Sequence, residues 1–414
     1  MKKSILLFLL IILFSNESIH AQRINMPLNY TWIGHLDRIQ SMDSIINTSA
    51  SLALNPVDYN IGLLQAAAKS QFKLLSAADS LKTDSLINLV ALHFFNDLAY
   101  GNHEPSLQND GIEFKQRTIN VSALLNSHLK NSALPQLVQY FTNSSTELVT
   151  ILKTLKQYRD STKINFSRIK QLTKAANDYR WLRALGENQR VVLVNLPSAQ
   201  LKVYEKDKVL LSMKLIVGKG STQTNSFSTF IKQVTINPYW NVPHSIAVNE
   251  MLPRFKKDND YISRTHLQIL SEKRKILNPN KIDWNSYDEN NFPFYIRQST
   301  GCDNSLGVLK LEFDSPYGVY LHDTPEKSLF NSTNRFYSHG CMRMEKPIEM
   351  ARLLMEKNRI ALDTIDLEKC YDNPNPIKIS IPVPTPLIVW YSLIDFDNQG
   401  IIRFYKDVYH RLTY

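Results

Sequence analysis

Cysteine is scarce in this chain: 414 residues contain three, Cys302, Cys341 and Cys370. An odd set cannot pair completely within one chain, so at least one thiol is left free or pairs between chains. Long apolar runs are also missing beyond SILLFLLIILF at residues 4–14. That run is short for a spanning helix, which needs roughly 20 apolar residues. With Met-Lys-Lys before it and the small residue Ala21 after it, the segment reads as a secretory signal peptide, residues 1–21. Ile19 is a mediocre residue ahead of that cleavage point, so an uncleaved anchor stays open; no cysteine lies there, which argues against a lipoprotein. The expectation is a soluble, exported protein of the periplasm or cell envelope. In that oxidising compartment a free cysteine needs a reason.

Blocks of one charge sign are lacking too. The formal charge is +10, but the basic residues are scattered and no nucleic-acid-binding motif is present. Nucleic acid is therefore not an expected partner, and anionic envelope polymers or membrane surfaces suit an exported basic protein better. A hydrophobic content of 43% is enough for sizeable cores, and the length allows two or three domains.

Residues 22–185 read as an all-α domain. Segments 57–82, 83–101, 122–131, 134–143 and 145–161 space apolar residues three and four apart. Thr83 and Asp84 look like an N-cap and Gly101 like a stop. From Arg190 the period changes to short alternating runs: RVVLVNL, the stretch from Gln200 to Gly220, KQVTINPYWNVP, GVLKLEF and GVYLHD. EKPIEMARLLMEKN follows as a helix, with Pro347 near its first turn. The fold class expected is α+β, an all-α scaffold followed by a mainly β domain at 186–368. A cap is inserted at about 246–296, with helical potential in NEMLPRFKKD and THLQILSEKRK. Residues 369–414 are expected to be an extended, Pro-rich connection and two strands flanking a DNQG turn.

Chemistry concentrates in SHGCMRM, residues 338–344. A thiol at neutral pH is mostly protonated and needs a nearby imidazole to become a nucleophile. His339 is two residues from Cys341 and suits a pocket wall. His322, at the end of GVYLH, can reach across from a neighbouring strand as the base, with Asp323 orienting it by side chain or carbonyl. Gly340 permits close approach, and backbone N–H groups around it and Cys341 could face an oxyanion. Three other readings stay open at this point. Cys341 could be an inert buried cysteine; His322, His339 and Cys341 could hold zinc; or Cys302 could pair with Cys341.

YGVYLHDTPEKSLF followed by YSHGCMRM resembles the L,D-transpeptidases of the bacterial cell wall, a histidine followed within twenty residues by Ser-His-Gly-Cys. NPYWNVP (237–243) and RQSTGCDNSLG (297–307) are similar to segments of the large, YcbB-like branch, and TDSLINLVALHFFNDLAYGNHEP looks like its N-terminal scaffold. The resemblance implies Cys341 as nucleophile and His322 as base, without cofactor or metal. It implies Ser338, His339 and Gly340 around the oxyanion pocket, and Arg343, Tyr320, Trp240 and Asn304 as candidates for substrate binding. It implies peptidoglycan tetrapeptide stems as donor and acceptor, with envelope proteins as alternative acceptors, acylation by carbapenems, and a monomer. The peptidoglycan-binding module common in that branch has no room here between scaffold and catalytic domain. Cys302 stands inside a matching segment, as a neutral substitution or a redox partner for Cys341 or Cys370.

Overall fold

The computed structural model describes residues 31–70, 77–112, 119–187, 189–206, 208–258, 260–355 and 374–411. The expected leader at 1–21 and Cys370 lie outside them. The N-terminal half is helical, with α1 Leu36–Asn47, α2 Ile61–Ser70, α3 Ala77–Tyr100, α4 Val121–Lys130, α5 Leu134–Thr142, α6 Thr146–Arg159 and α7 Phe166–Gly186. Side-chain oxygens of Asn120, Ser145 and Asn165 accept from backbone N–H groups of the first turns of α4, α6 and α7, satisfying donors the helix itself leaves orphaned. Gly101 ends α3 as expected, at φ +82°. A Cβ there would lie 2.5 Å from the Asn177 carbonyl oxygen, so conformation and close approach both require glycine.

Thr83 and Asp84 do not open a helix. α3 starts at Ala77 and runs through them, and the buried Asp84 carboxylate instead accepts the backbone N–H groups of Thr31, Trp32 and Ile33 at 2.7–3.0 Å. A carboxylate that satisfies backbone donors from a distant segment looks, in sequence, the same as one capping its own helix. Helices α1, α3, α4 and α5 share one apolar cluster that includes Ile39, Met42, Phe94, Phe95 and Phe141.

The β half is built on eight strands: β1 Arg190–Asn195, β2 Gln200–Glu205, β3 Lys208–Gly218, β4 Phe227–Ile236, β5 Leu309–Phe313, β6 Leu321–His322, β7 Met342–Met344 and β8 Ile377–Trp390. They pair in the order β8-β1-β2-β3-β7-β6-β5-β4, and β4 returns to β8, so the sheet closes on itself. The β8–β1 and β7–β6 pairs are parallel and the others antiparallel. Helix α8, Pro347–Met355, covers the core with Met350, Ala351, Leu354 and Met355. Alternation along the strands divides their side chains. Val192, Val194, Leu201 and Val203 enter that core; Val191, Leu193, Ile388 and Trp390 face outward and pack on Leu148, Ile151, Leu172 and Tyr179 of α6 and α7.

The Pro-rich stretch expected as a connection is the long strand β8. Its register against β4 shifts between Ser380 and Thr385. Pro382 and Pro384 fall inside that irregularity, where missing N–H donors are tolerated. Of the two terminal strands expected, LIVW belongs to β8, and the hairpin across DNQG is Ile394–Phe396 with Ile402–Phe404. Between β2 and this hairpin lies a buried ion pair. Lys202 Nζ donates to Asp395 Oδ1 at 2.5 Å and to the Phe396 carbonyl at 2.8 Å, while Ser198 Oγ donates to Asp395 Oδ2 at 2.5 Å.

The insert between β4 and β5 has its own four-stranded sheet, Trp240–Asn241, Tyr295–Gln298, Leu267–Leu270 and Ile276–Leu277. It also has its own apolar cluster around Phe255, Ile269, Trp284 and Ile296. Its first strand begins at Trp240, earlier than 246. NEMLPRFKKD is helical over Ala247–Phe255, but THLQILSEKRK is strand and turn. Leu267 and Ile269 are buried on one face while the segment pairs with two neighbours, a period-2 demand that overrides its helix-forming Glu and Lys residues.

Removing one partner of a buried, hydrogen-bonded ion pair leaves the other uncompensated. Asp395→Ala is expected to lose about 3–5 kcal/mol of stability in urea unfolding. Lys202→Met combined with Asp395→Leu is expected to recover most of it.

Candidate active site

Strands β6 and β7 are short, and their register decides which side chains meet. Leu321 lies opposite Met342 and His322 opposite Arg343, in parallel, with Met342 N–H donating to the Tyr320 carbonyl at 3.0 Å. Leu321, Met342 and Met344 are fully buried in the core. The intervening residues Tyr320, His322, Cys341 and Arg343 therefore share the other face.

Cys341 is the free thiol among the described residues, and it is partly exposed. Its neighbour is Tyr320, whose backbone N–H and phenol lie on the sulfur's side, and the Trp240 side chain lies beside that phenol. Burial pushes the Cys341 thiol up, against Tyr320 and the charges of Lys310 and Arg343, which pull it down. Cys302 is disulfide-bonded, so the alternative of a Cys302–Cys341 bond does not hold.

His322 is 4% exposed, and its Nδ1 lies 2.5 Å from the Asp323 carbonyl oxygen. A carbonyl can only accept, so Nδ1 carries the proton and Nε2 keeps the lone pair a base needs. Of the two ways Asp323 could orient the ring, it is the carbonyl that does so. The Asp323 carboxylate turns away, accepting from Val308 N–H at 3.0 Å and pairing with Lys327. Gly307, at φ +60°, is what makes room: a Cβ there would sit 2.3 Å from Asp323 Oδ2. Burial, assisted by the charges of Arg343 and Lys310 and opposed by the Asp323 carbonyl, lowers the His322 imidazole to about 3. At neutral pH the resting groups are thus a thiol and a neutral imidazole.

The motif residues around them have distinct partners. His339 Nε2 lies 2.6 Å from Glu250 Oε1, joining the motif to the cap. Ser338 Oγ donates to the Cys341 carbonyl at 2.5 Å and accepts the Gly340 N–H at 3.1 Å. The Gly340 N–H, one of the backbone donors expected around Gly340 and Cys341, is therefore engaged within the loop. Gly340 adopts φ +117°, and its carbonyl accepts from Thr224 Oγ1 at 2.8 Å. Arg343 is paired with Glu326.

Asn304 is not placed to bind substrate. It is fully buried, its amide donating to the Ser299 carbonyl and accepting from Leu306 N–H, both at 2.7 Å. Both ends thus organise the loop that leads to Gly307. Trp240, by contrast, comes to the site through Tyr320. His322 and His339 face different partners, and among the described residues no group of three or more His, Cys, Asp or Glu side chains is arranged to hold a metal ion. Sequence reasoning missed Lys310, Glu250, Glu326 and Thr224. They come from a strand, the cap and two loops, with only Lys310's place in GVLKLEF, an alternating strand, as a signal.

Residues 189–362 match the L,D-transpeptidase catalytic domain of the YkuD family, and residues 25–155 match its Scaffold domain. A Haemophilus influenzae protein provisionally named an L,D-transpeptidase is 36% identical over 184 residues, 44% of this chain and 37% of the relative. The chain thus spans little more than a third of that relative's length. Among solved structures, an L,D-transpeptidase from Mycobacterium smegmatis is 14% identical with a TM-score of 0.23, covering 49% of this chain and 58% of that one. A mutant of the Enterococcus faecium L,D-transpeptidase is 11% identical with a TM-score of 0.22, covering 49% and 50%. The transpeptidase domain carries every residue of the thiol site, and the scaffold match ends inside α6.

The buried neutral imidazole has a thermodynamic signature. Its folded value of about 3 lies below the ordinary 6.5, so between those values the unfolded chain binds a proton that the folded chain does not. Stability from His322 is complete above pH 6.5 and is lost progressively as pH falls towards about 3. His322→Gln is expected to flatten that slope in denaturant midpoints measured across the window.

Proposed function

We propose that this protein is a peptidoglycan L,D-transpeptidase that forms 3–3 cross-links through a thioester on Cys341. The observation that supports this best is the shared face of β6 and β7, which carries both a free thiol and an imidazole whose Nδ1 proton is fixed by a carbonyl. The family of residues 189–362 supplies the substrate class. Cys341 Sγ attacks the carbonyl of the third, diamino-acid residue of a tetrapeptide stem, while His322 Nε2 takes the thiol proton. The tetrahedral intermediate collapses, the imidazolium gives its proton to the departing D-alanine amine, and the thioester remains. The side-chain amine of a second stem then attacks it, His322 takes the amine proton, and the thiolate leaves and is reprotonated. No step requires a cofactor.

Water in place of the amine would make the same site an L,D-carboxypeptidase, and a lysine of an envelope protein would make it an anchoring enzyme, because one acyl-enzyme serves all three. A protein with this activity would work in the cell envelope. This agrees with the leader-like residues 1–21, and among the described residues no helix is long and apolar enough to cross a membrane.

Incubation of the reduced-thiol protein with tetrapeptide stems is expected to give an intact-mass adduct on Cys341 that Cys341→Ala lacks. His322→Gln is expected to slow its formation by about 10²–10⁴-fold. No adduct on the wild type, with its thiol shown to be free, would overturn the enzymatic reading in favour of a non-catalytic wall-binding scaffold. Chromatography of the products separates the acceptors: a tripeptide for water, a cross-linked dimer for a stem amine.

A further inference from the structure

One charged side chain at this site is absorbed neither by the motif nor by the mechanism above. Lys310 lies on β5 directly opposite His322 in the register, on the face that carries the thiol site. Its Nζ is 4.3 Å from the centroid of the Tyr320 ring, inside the range at which an ammonium is held by an aromatic face. Glu312 competes for that charge at 3.6 Å. The Glu312 oxygens, however, also accept from Thr235 Oγ1 at 2.9 Å and Gln233 Nε2 at 3.2 Å. Arg343, the other cation near the sulfur, is neutralised by Glu326. Lys310 is therefore the cation least committed to a carboxylate here, and its contact is a ring whose hydroxyl reaches the nucleophile.

The phenol lies beside both the Trp240 side chain and the Cys341 sulfur, so it can stand in a hydrogen-bonded chain between them once the sulfur carries charge. Hydrogen bonds in series polarise one another. A cation on the ring face draws electron density from the phenol and makes its O–H a stronger donor, most effectively when the acceptor is anionic and the surroundings exclude water. We propose that Lys310 is a positioning residue for the reaction, its ammonium on the Tyr320 ring strengthening the phenol's hydrogen bond to Cys341 and so stabilising the negative charge the sulfur gains. This rests on Cys341 being the nucleophile. The groups facing Lys310 are Glu312 on its own strand, Thr235 on β4, Tyr320 just before β6 and His322 on it, and Cys341 just before β7 and Arg343 on it.

The test reads the thiol directly. Carbamidomethylation of Cys341 in the full-length protein is followed against pH by mass spectrometry of the peptide that contains it, for wild type, Lys310→Met, Lys310→Arg, Tyr320→Phe and Lys310→Met/Tyr320→Phe. Lys310→Met is expected to move the midpoint upward by about one pH unit, with about tenfold less thiolate at a given pH below it. Lys310→Arg is expected to restore most of the shift. In the Tyr320→Phe background, Lys310→Met is expected to move the midpoint by much less, because the bond it strengthens is gone.

An unshifted midpoint in Lys310→Met overturns the proposal, as does an equal shift with and without the phenol. Should Lys310→Met fail to fold by circular dichroism, Lys310→Gln replaces it, and a wild-type profile in that variant also overturns the proposal. With tetrapeptide stems, Lys310→Met is expected to lower kcat with KM nearly unchanged; loss confined to KM would overturn it. A wild type that is never acylated by stems would defeat the functional reading while leaving the alkylation comparison intact.

Discussion

The thiol site hangs on a parallel pairing two residues long. Side chains alternate across a strand, so a slip of one position between β6 and β7 would send His322 and Cys341 into the core and bring Leu321 and Met342 out. The register is held because those two residues and Met344 are fully buried. It is held also because the short strands lie between the longer strands β5 and β3, which are anchored in the closed sheet. The apolar residues thus act on chemistry by specifying which way their neighbours point.

Much of this was legible in the chain before any coordinates. SHGCMRM and its distant His322 marked the residues that the sheet brings onto one face, and the change in period near Arg190 marked where helices give way to strands. What was not legible shares a cause: the deciding partner is far away in sequence. Asp84 looks like a helix cap because the backbone donors it serves are about fifty residues earlier. The prolines of β8 argue against a strand until the shifted register against β4 is seen. Asn304 stands in a family-like segment, and only its burial and two hydrogen bonds show that it shapes a loop. Lys310 is one lysine among many until Tyr320 is placed beneath it.

The scaffold and the transpeptidase domain share a core. α6 and α7 cover the outward face of β1 and β8, with Tyr179 edge-on to both Trp390 and Phe396 at 5.4 Å. The buried Lys202–Asp395 pair ties the terminal hairpin to the same sheet. The C-terminal residues are therefore part of the body that carries the thiol site. The cap has a different relation to the site, with its own apolar cluster and a polar contact to the motif between two half-exposed groups, Glu250 and His339.

Closure of the sheet also constrains the order of events as the chain folds. β8 fits between β1 and β4, and residues that become neighbours in the β1–β8 pair are roughly two hundred positions apart in the chain. Pairings so distant form late, because the entropy of closing the loop must be overcome before they contribute. Until β8 arrives, β1 and β4 each expose an unpaired edge, and the face against which α6 and α7 pack is incomplete. The thiol site thus sits in a structure that is sealed at its far side, so a chain stalled before closure has open strand edges as its hazard.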